Sequence, residues 1–285
     1  MRWREWLAEK QANWRRKRKA HNHFLAAKSL AKQKDFPAAI THYTEAIRLN
    51  PQHLCALAGL ITARLQTEDF AGALADLDKA PGTKKSQALV HVARAHIYIQ
   101  QKQYDEAIEE CAQALATNSR RGVAYYYRGL AYLRMGDIDV ALVDFTRAII
   151  LDPGWADAYI SRSAVYCRKK DASAVIADCN RALKFDPRSA VAYNNRAVGH
   201  FLKKDFPVAL ADYQKANELQ ADFVLALTGQ AVTLHKLGQI DAAKAIWLCL
   251  IEKDARFRDP DWFFQEYDWT VAEYMDEARR LIAAL

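Results

Sequence analysis

The sequence predicts an all-α solenoid of about seven helix–turn–helix units, each 34 residues long. Three observations predict it. The stretch GVAYYYRGLAYLRMGDIDVALVDFTRAIILDPGW, residues 122–155, recurs when the chain is shifted by 34 residues, most plainly downstream as AYISRSAVYCRKKDASAVIADCNRALKFDP and AYNNRAVGHFLKKDFPVALADYQKANEL. Small residues return at fixed places in this period. Acidic and proline punctuation returns between them. A fixed period of this size marks a stacked repeat protein, in which each unit buries its apolar face against its neighbours.

The units cover residues 20–53, 54–87, 88–121, 122–155, 156–189, 190–223 and 224–257. Numbered within a unit, position 8 reads Ala27, Ile61, Ala95, Gly129, Ser163, Ala197, Ala231. Position 20 reads Ala39, Ala73, Ala107, Ala141, Val175, Ala209, Ala243, and position 27 reads Ala46, Ala80, Ala114, Ala148, Ala182, Ala216, Leu250. Small side chains on two successive helices let the axes approach to about 8–10 Å. Large residues at positions 4, 11 and 24, such as Tyr125, Tyr132 and Phe145, fill the space left. Position 16 is Asp35, Asp69, Gln103, Asp137, Asp171, Asp205 and Gln239, where aspartate can N-cap the second helix. Pro37 and Pro207 fall in that helix's first turn, where proline is tolerated, and Pro51, Pro153 and Pro187 follow its end. Unit two departs most: Pro81-Gly82 ends its second helix early, and the polar GTKKSQ linker restores the period as a candidate joint.

Before the array, residues 1–19 read as a basic helix with Trp3, Trp6, Leu7 and Trp14 on one face and the run Arg15, Arg16, Lys17, Arg18, Lys19 at its end. Residues 1–20 hold eight Lys/Arg against two Glu, whereas the rest of the chain holds 33 basic and 32 acidic residues. The formal net charge of +7 therefore belongs to this tail. Three readings stand: a cap whose tryptophans cover the first unit, an arm that binds nucleic acid or another partner, or a helix that lies on an anionic membrane surface. After the array, residues 258–285 concentrate Trp262, Phe263, Phe264, Tyr267 and Trp269, read as a seal on the last unit or as a docking patch. Thr270 and Glu273 form a capping box ahead of a last helix near 271–284.

Composition bounds the function. Hydrophobic residues at 51% are ample for a continuous core. No apolar run approaches the length of a membrane span, and the N-terminus lacks the apolar core of a secretory signal. Five cysteines (Cys55, Cys111, Cys167, Cys179, Cys249) make an odd total with no CxxC, which fits free thiols in a cytoplasmic location.

These residues resemble tetratricopeptide repeats. Unit four carries the signature best, in Tyr125, Gly129, Tyr132, Ala141, Phe145, Ala148 and Pro153, and units four to six resemble the AYxxRG variety found in bacterial arrays. The resemblance covers about residues 20–257, with Ile61 and Leu250 departing from it. It implies a right-handed superhelix whose first helices line a concave groove, with N- and C-terminal capping helices. It also implies protein–protein interaction without chemistry.

Two constellations are candidates for function. Position 7 carries Arg94, Arg128, Arg162 and Arg196, and position 23 carries Asp76, Glu110, Asp144, Asp178 and Asp212. An internal ladder of ion pairs is favoured over a ligand site, because every arginine has an acid in its own or the preceding unit. In the resembled family, positions 2, 5, 9, 12 and 13 of the first helix face the groove. Here they give Leu89, Val92, His96 and Ile99 in unit three and Val123, Tyr126, Leu130 and Leu133 in unit four. Unit five gives Ile160, Ala164 and Cys167, and unit six gives Val191, Asn194, Val198 and Phe201. This lining is apolar and does not reproduce the family's Lys/Asn/Arg carboxylate clamp. A hydrophobic peptide or amphipathic helix from a protein partner would fill it; the internal competitor is a terminal helix, the tryptophan-bearing one foremost.

The histidines and cysteines lack metal-ligand spacing, and no phosphate loop or nucleophile elbow is present. The sequence thus points to a non-enzymatic adaptor without cofactor or metal. The alternatives are a factor bound to nucleic acid or an anionic surface through the arm, or a self-assembling scaffold that places one copy's tail in another's groove.

Overall fold

A computed structural model describes residues 2–118, 120–266, 272–283 and 285. Among these, all regular structure is helical. Seven first helices are α1 (Arg2–Lys32), α3 (Leu54–Gln66), α5 (Lys84–Gln100), α7 (Gly122–Met135), α9 (Ala156–Arg168), α11 (Ala190–Leu202) and α13 (Val224–Lys236). They alternate with second helices α2 (Phe36–Leu49), α4 (Phe70–Asp78), α6 (Tyr104–Thr117), α8 (Ile138–Leu151), α10 (Ala172–Phe185), α12 (Phe206–Leu219) and α14 (Ile240–Lys253). A 3₁₀ turn (Ala255–Arg258), α15 (Pro260–Glu266) and α16 (Ala272–Ala283) follow. The chain gathers into two compact units, Met1–Met135 and Gly136–Leu285.

The second helices start 34 residues apart without exception, and the turn before them explains this. In every unit the residue at position 15, just past the end of the first helix, takes a left-handed backbone. These are Lys34, Glu68, Lys102, Lys170 and Lys204, with φ between 56° and 63°, and Gly136 and Gly238 at φ 92° and 77°. The next amide then reaches back five residues: Asp35 N to Leu30 O, Asp69 N to Arg64 O, Gln103 N to Tyr98 O, Asp171 N to Tyr166 O, Asp205 N to His200 O and Gln239 N to Leu234 O, at 2.8–3.0 Å. This is a Schellman closure, which satisfies carbonyls at the helix end and fixes the exit direction. The expected aspartate caps are made by Asp35, Asp69 and Asp171, which accept from the amides of Ala38, Gly72 and Ala174. Asp137 and Asp205 make no side-chain cap bond, so there the turn itself sets the helix start.

Packing follows the period. All seven position-20 residues are fully buried, as are Ala46, Ala114, Ala148, Ala182 and Ala216 at position 27. The side chains at position 24, Tyr43, Leu77, Cys111, Phe145, Cys179, Tyr213 and Trp247, are all buried in turn. Tyr125 and Tyr132, read as core fillers, are only half-buried. Where position 24 is tyrosine, the next first helix carries glycine: a Cβ on Gly59 would lie 2.4 Å from the Tyr43 ring, and one on Gly229 2.4 Å from Tyr213. Within each compact unit the first helices touch one another in succession, as α3, α5 and α7 or as α9, α11 and α13. Within a compact unit a second helix packs between the first helices before and after it, as α6 does between α5 and α7 and α10 between α9 and α11. Within each compact unit the first helices thus form a layer with a face of its own.

Three expectations are corrected. The basic segment 1–19 is not a separate helix but the outer part of α1, which runs on into the first unit. Trp3, Trp6 and Trp14 are 72%, 51% and 60% exposed, so they cover no face of that unit. The GTKKSQ joint is helical from Lys84 on: Thr83 and Ser86 form a capping box that starts α5, while α4 stops after nine residues and leaves Ala80 outside the helix and partly exposed. At the other end Phe263 is buried, Trp262 is half-buried, and the Trp247 indole N–H donates to the Phe257 carbonyl at 3.0 Å. Tyr267, Trp269, Thr270 and the side chain of Phe264 lie outside the described residues, so the Thr270–Glu273 capping box is not described. No helix among the described residues is long and apolar enough to cross a membrane.

Two glycines separate conformational from steric effects. Gly136→Ala adds a Cβ that meets nothing within 4 Å, so it should cost only the left-handed strain of about 1 kcal/mol in urea unfolding. Gly59→Ala must displace the Tyr43 ring and should cost about 1–3 kcal/mol, a loss reduced when Tyr43→Leu is added.

Candidate interaction face

The ion pairs come first, because they decide which charges are available to a ligand. Arg162 donates twice to Asp178, at 2.8 and 2.7 Å, and once to the Thr146 hydroxyl at 3.2 Å. Arg196 repeats this one period later, with two bonds of 2.7 Å to Asp212 and one of 2.8 Å to the Asn180 side-chain oxygen. Each guanidinium therefore joins its own second helix to the preceding one and leans over a tyrosine, Tyr159 for Arg162 and Tyr193 for Arg196. The hydrogen bonds to Asp178 raise the Arg162 pKa despite burial, which works against the charge. In the first compact unit the pattern loosens. Arg94 donates to the exposed Asp78 at 2.6 Å and lies 3.7 Å from Glu110, which is bonded to His91 at 2.6 Å. Asp76 is met by Arg64 of α3, not by a position-7 arginine. Arg128, like the later ladder arginines, lies over a tyrosine ring, that of Tyr125 at 5.4 Å.

On α5 and α7, Leu89, His96, Ile99, Val123, Tyr126 and Leu130 are half-buried, while Val92 and Leu133 are buried. Val92 belongs to the core with Ala114 and Ala124, so it is removed from the expected lining. His96 stacks on Tyr127 at 4.7 Å and shares a 3.2 Å hydrogen bond with its hydroxyl, and burial lowers the His96 pKa.

On α9 and α11 the expected groove is taken in part. Val191 is exposed, and Ile160, Ala164 and Cys167 are half-buried, but Asn194, Val198 and Phe201 are buried. At Phe201 α16 covers the surface. Tyr274 stacks on Phe201 with ring centroids 3.9 Å apart, and its hydroxyl bonds to that of Tyr213. Glu277 accepts from His235 at 2.5 Å and Lys236 at 2.6 Å. Burial pushes the Glu277 carboxyl up, yet the hydrogen bonds from Lys236 and His235 outweigh it and hold the group below its ordinary value. The internal occupant is thus the C-terminal helix, and the tryptophan helix named as the foremost competitor does not play this part. Sequence reading missed Tyr274, Glu277, Ala278 and Leu281; their spacing of four and three between apolar residues was the available signal.

Arg15, Arg16, Lys17, Arg18 and Lys19 are all exposed on α1, with Arg18 over Trp14 and Lys10 over Trp6 at about 5.5 Å. Cys111 and Cys179 are buried thiols, and burial pushes Cys179 up to about 12. Among the described residues no three His, Cys, Asp or Glu side chains are grouped to hold a metal ion.

Comparisons with known proteins agree with this architecture. Family models described as tetratricopeptide repeats match residues 30–97, 88–120 and 122–155. The chain is a tetratricopeptide-repeat protein. Such proteins generally mediate protein–protein interaction, and the fold is typically a non-catalytic scaffold. No curated protein matches the sequence. Among solved structures, the chain is similar to one in the Cut9–Hcn1 hetero-tetramer of APC/C, at TM-score 0.66 and 16% identity over 76% of this chain and 43% of that one. It is also similar to a tetratricopeptide repeat protein from Parabacteroides merdae, at TM-score 0.55 and 16% identity over 93% and 99% of the two chains. A third is MamA from Desulfovibrio magneticus, at TM-score 0.52 and 16% identity over 58% and 94%. The chain spans less than half the length of the first of these, and identities this low speak for the fold alone.

Removing one partner of a mostly buried ion pair strands the other. Arg162→Ala should therefore lower stability by about 3 kcal/mol, seen as a lower Tm. A ligand-binding role would instead show as lost partner binding at unchanged Tm.

Proposed function

We propose that the protein is a non-enzymatic adaptor that binds an apolar peptide or amphipathic helix of a protein partner on the layer of first helices, with α5 and α7 as the main receiving face. The observation that carries this reading is the half-buried apolar row Leu89, Ile99, Val123 and Leu130 on two first helices in direct contact. Burial of such a row contributes about 25 cal/mol per Å², reduced by the cost of ordering both partners. The ladder arginines act structurally in this reading, since their hydrogen bonds are directed into the stack. It also keeps the division into an arm at 1–19, seven repeats over 20–257 and a C-terminal cap at 258–285.

A second reading rests on a separate observation, the exposure of Trp3, Trp6 and Trp14 beside five exposed cations. The arm would attach the adaptor to a polyanion, either an anionic membrane surface or nucleic acid, with the indoles supplying interfacial or stacking contact.

Leu130→Asp should abolish capture of the partner in a pull-down while the helical circular dichroism stays intact; undiminished capture would sink the groove reading. For the arm, binding to anionic vesicles or to duplex DNA should weaken steeply with salt and disappear when residues 2–19 are deleted.

A further inference from the structure

Helix α16 has the form of a bound ligand. Tyr274, Glu277, Ala278 and Leu281 stand on one face at intervals of three, one and three residues, and each is at most 4% exposed. This is the anchor spacing with which an amphipathic helix lies in a groove. The surface beneath it is assembled from the ends of three first helices one period apart. Phe201 of α11 shares its buried cluster, Cys167 of α9 packs against that cluster, and His235 of α13 holds its carboxylate.

The seat reads chemistry as well as shape. Tyr213 belongs to a second helix, yet its ring passes against Gly229, where a Cβ would lie 2.9 Å from its oxygen, and its hydroxyl meets that of Tyr274. Both phenols are fully buried, and burial raises both far above their ordinary values. A phenylalanine in the seat would leave the Tyr213 hydroxyl without this partner, which is how a hydrogen-bonding site rejects an analogue lacking the group. Glu277 likewise answers two donors, His235 and Lys236, and an incoming helix without an acid there would leave both unpaired.

A structural cap would not need these features. Phe257 and Phe263 already pack with Trp247 at the end of α14, ahead of α16. A buried carboxylate adds little stability over an apolar side chain of similar volume, whereas it does specify register. At the near end the helix is held by Lys170 and Glu273, an exposed pair 3.3 Å apart of the kind that contributes little.

We propose that the face formed by the ends of α9, α11 and α13 is a helix-docking site, with α16 as its tethered occupant. A partner helix with tyrosine, acid, a small residue and an aliphatic residue at relative positions 0, 3, 4 and 7 takes the same seat by displacing it. This rests on the adaptor reading for the existence of a partner, but places a second, self-occupied site apart from α5 and α7.

The test uses the full chain and a fluorescently labelled synthetic peptide of residues 272–285, followed by anisotropy. Tyr274→Ala combined with Leu281→Ala in the chain should raise its affinity for the peptide at least about tenfold over the native chain, because a tethered helix competes at an effective concentration on the order of millimolar. A second arm does not depend on that double variant. The Lys236→Glu chain should bind the native peptide more weakly than a peptide carrying Glu277→Lys. Equal affinity of the native chain and the double variant, with circular dichroism showing both folded, overturns the proposal. So does a Lys236→Glu chain that shows no preference for the charge-reversed peptide. Leu130→Asp should leave peptide exchange unchanged, so failure of the face on α5 and α7 and failure of this seat are read separately.

Discussion

The stack depends on the close approach of helices where small side chains meet. Alanine or valine at position 20 in all seven units lets each second helix settle against its first helix. The position-24 side chain, from cysteine up to tryptophan, then fills what the backbone leaves open. The arrangement is compensated and not uniform. Tyrosine at position 24 is met by glycine on the next first helix, at Tyr43 with Gly59 and at Tyr213 with Gly229. Ile61, in place of a small residue, packs with Leu57, Ala73, Leu77 and Ile97 beside the shortened α4. Core volume is conserved locally, which is what close packing requires.

The turns impose a second constraint with functional consequences. A left-handed residue ends the first helix in each unit, and at five of the seven places it carries a side chain. Four of those five are lysines, so the turn that closes the first helix also places a cation directly after it. Lys170 uses that placement to reach Glu273 of α16. The guanidinium groups of Arg162 and Arg196, by contrast, point into the stack and are consumed by Asp178, Asp212 and the neighbouring second helices.

The first helices of the two compact units carry different surfaces. On α5 and α7 the apolar row is half-buried and includes His96, whose pKa burial lowers. On α11 and α13 the equivalent surface is closed by a helix of the chain itself, with aromatic stacking and one charged contact at its centre.

What the sequence determined by itself is the repeat: its length, the order of helices, the buried positions and the punctuation between units. Seven copies of one pattern reinforce each other, so a local preference too weak to read once becomes legible as a period. The short α4 was legible too, because proline and glycine act on the backbone directly. Tertiary structure alone decided what lies on the first-helix face. Residues 272–283 fall outside the period, and an amphipathic helix states only that it must cover something, not what. Phe201, Tyr213 and His235 come together with Tyr274 and Glu277 across 42 to 73 residues of chain, a meeting fixed by shape and by the need to pair a buried carboxylate. For the same reason the tryptophans of α1 had the composition of a cap but no surface to cover: burial depends on where the helix leads, and α1 carries them away from the first unit into solvent.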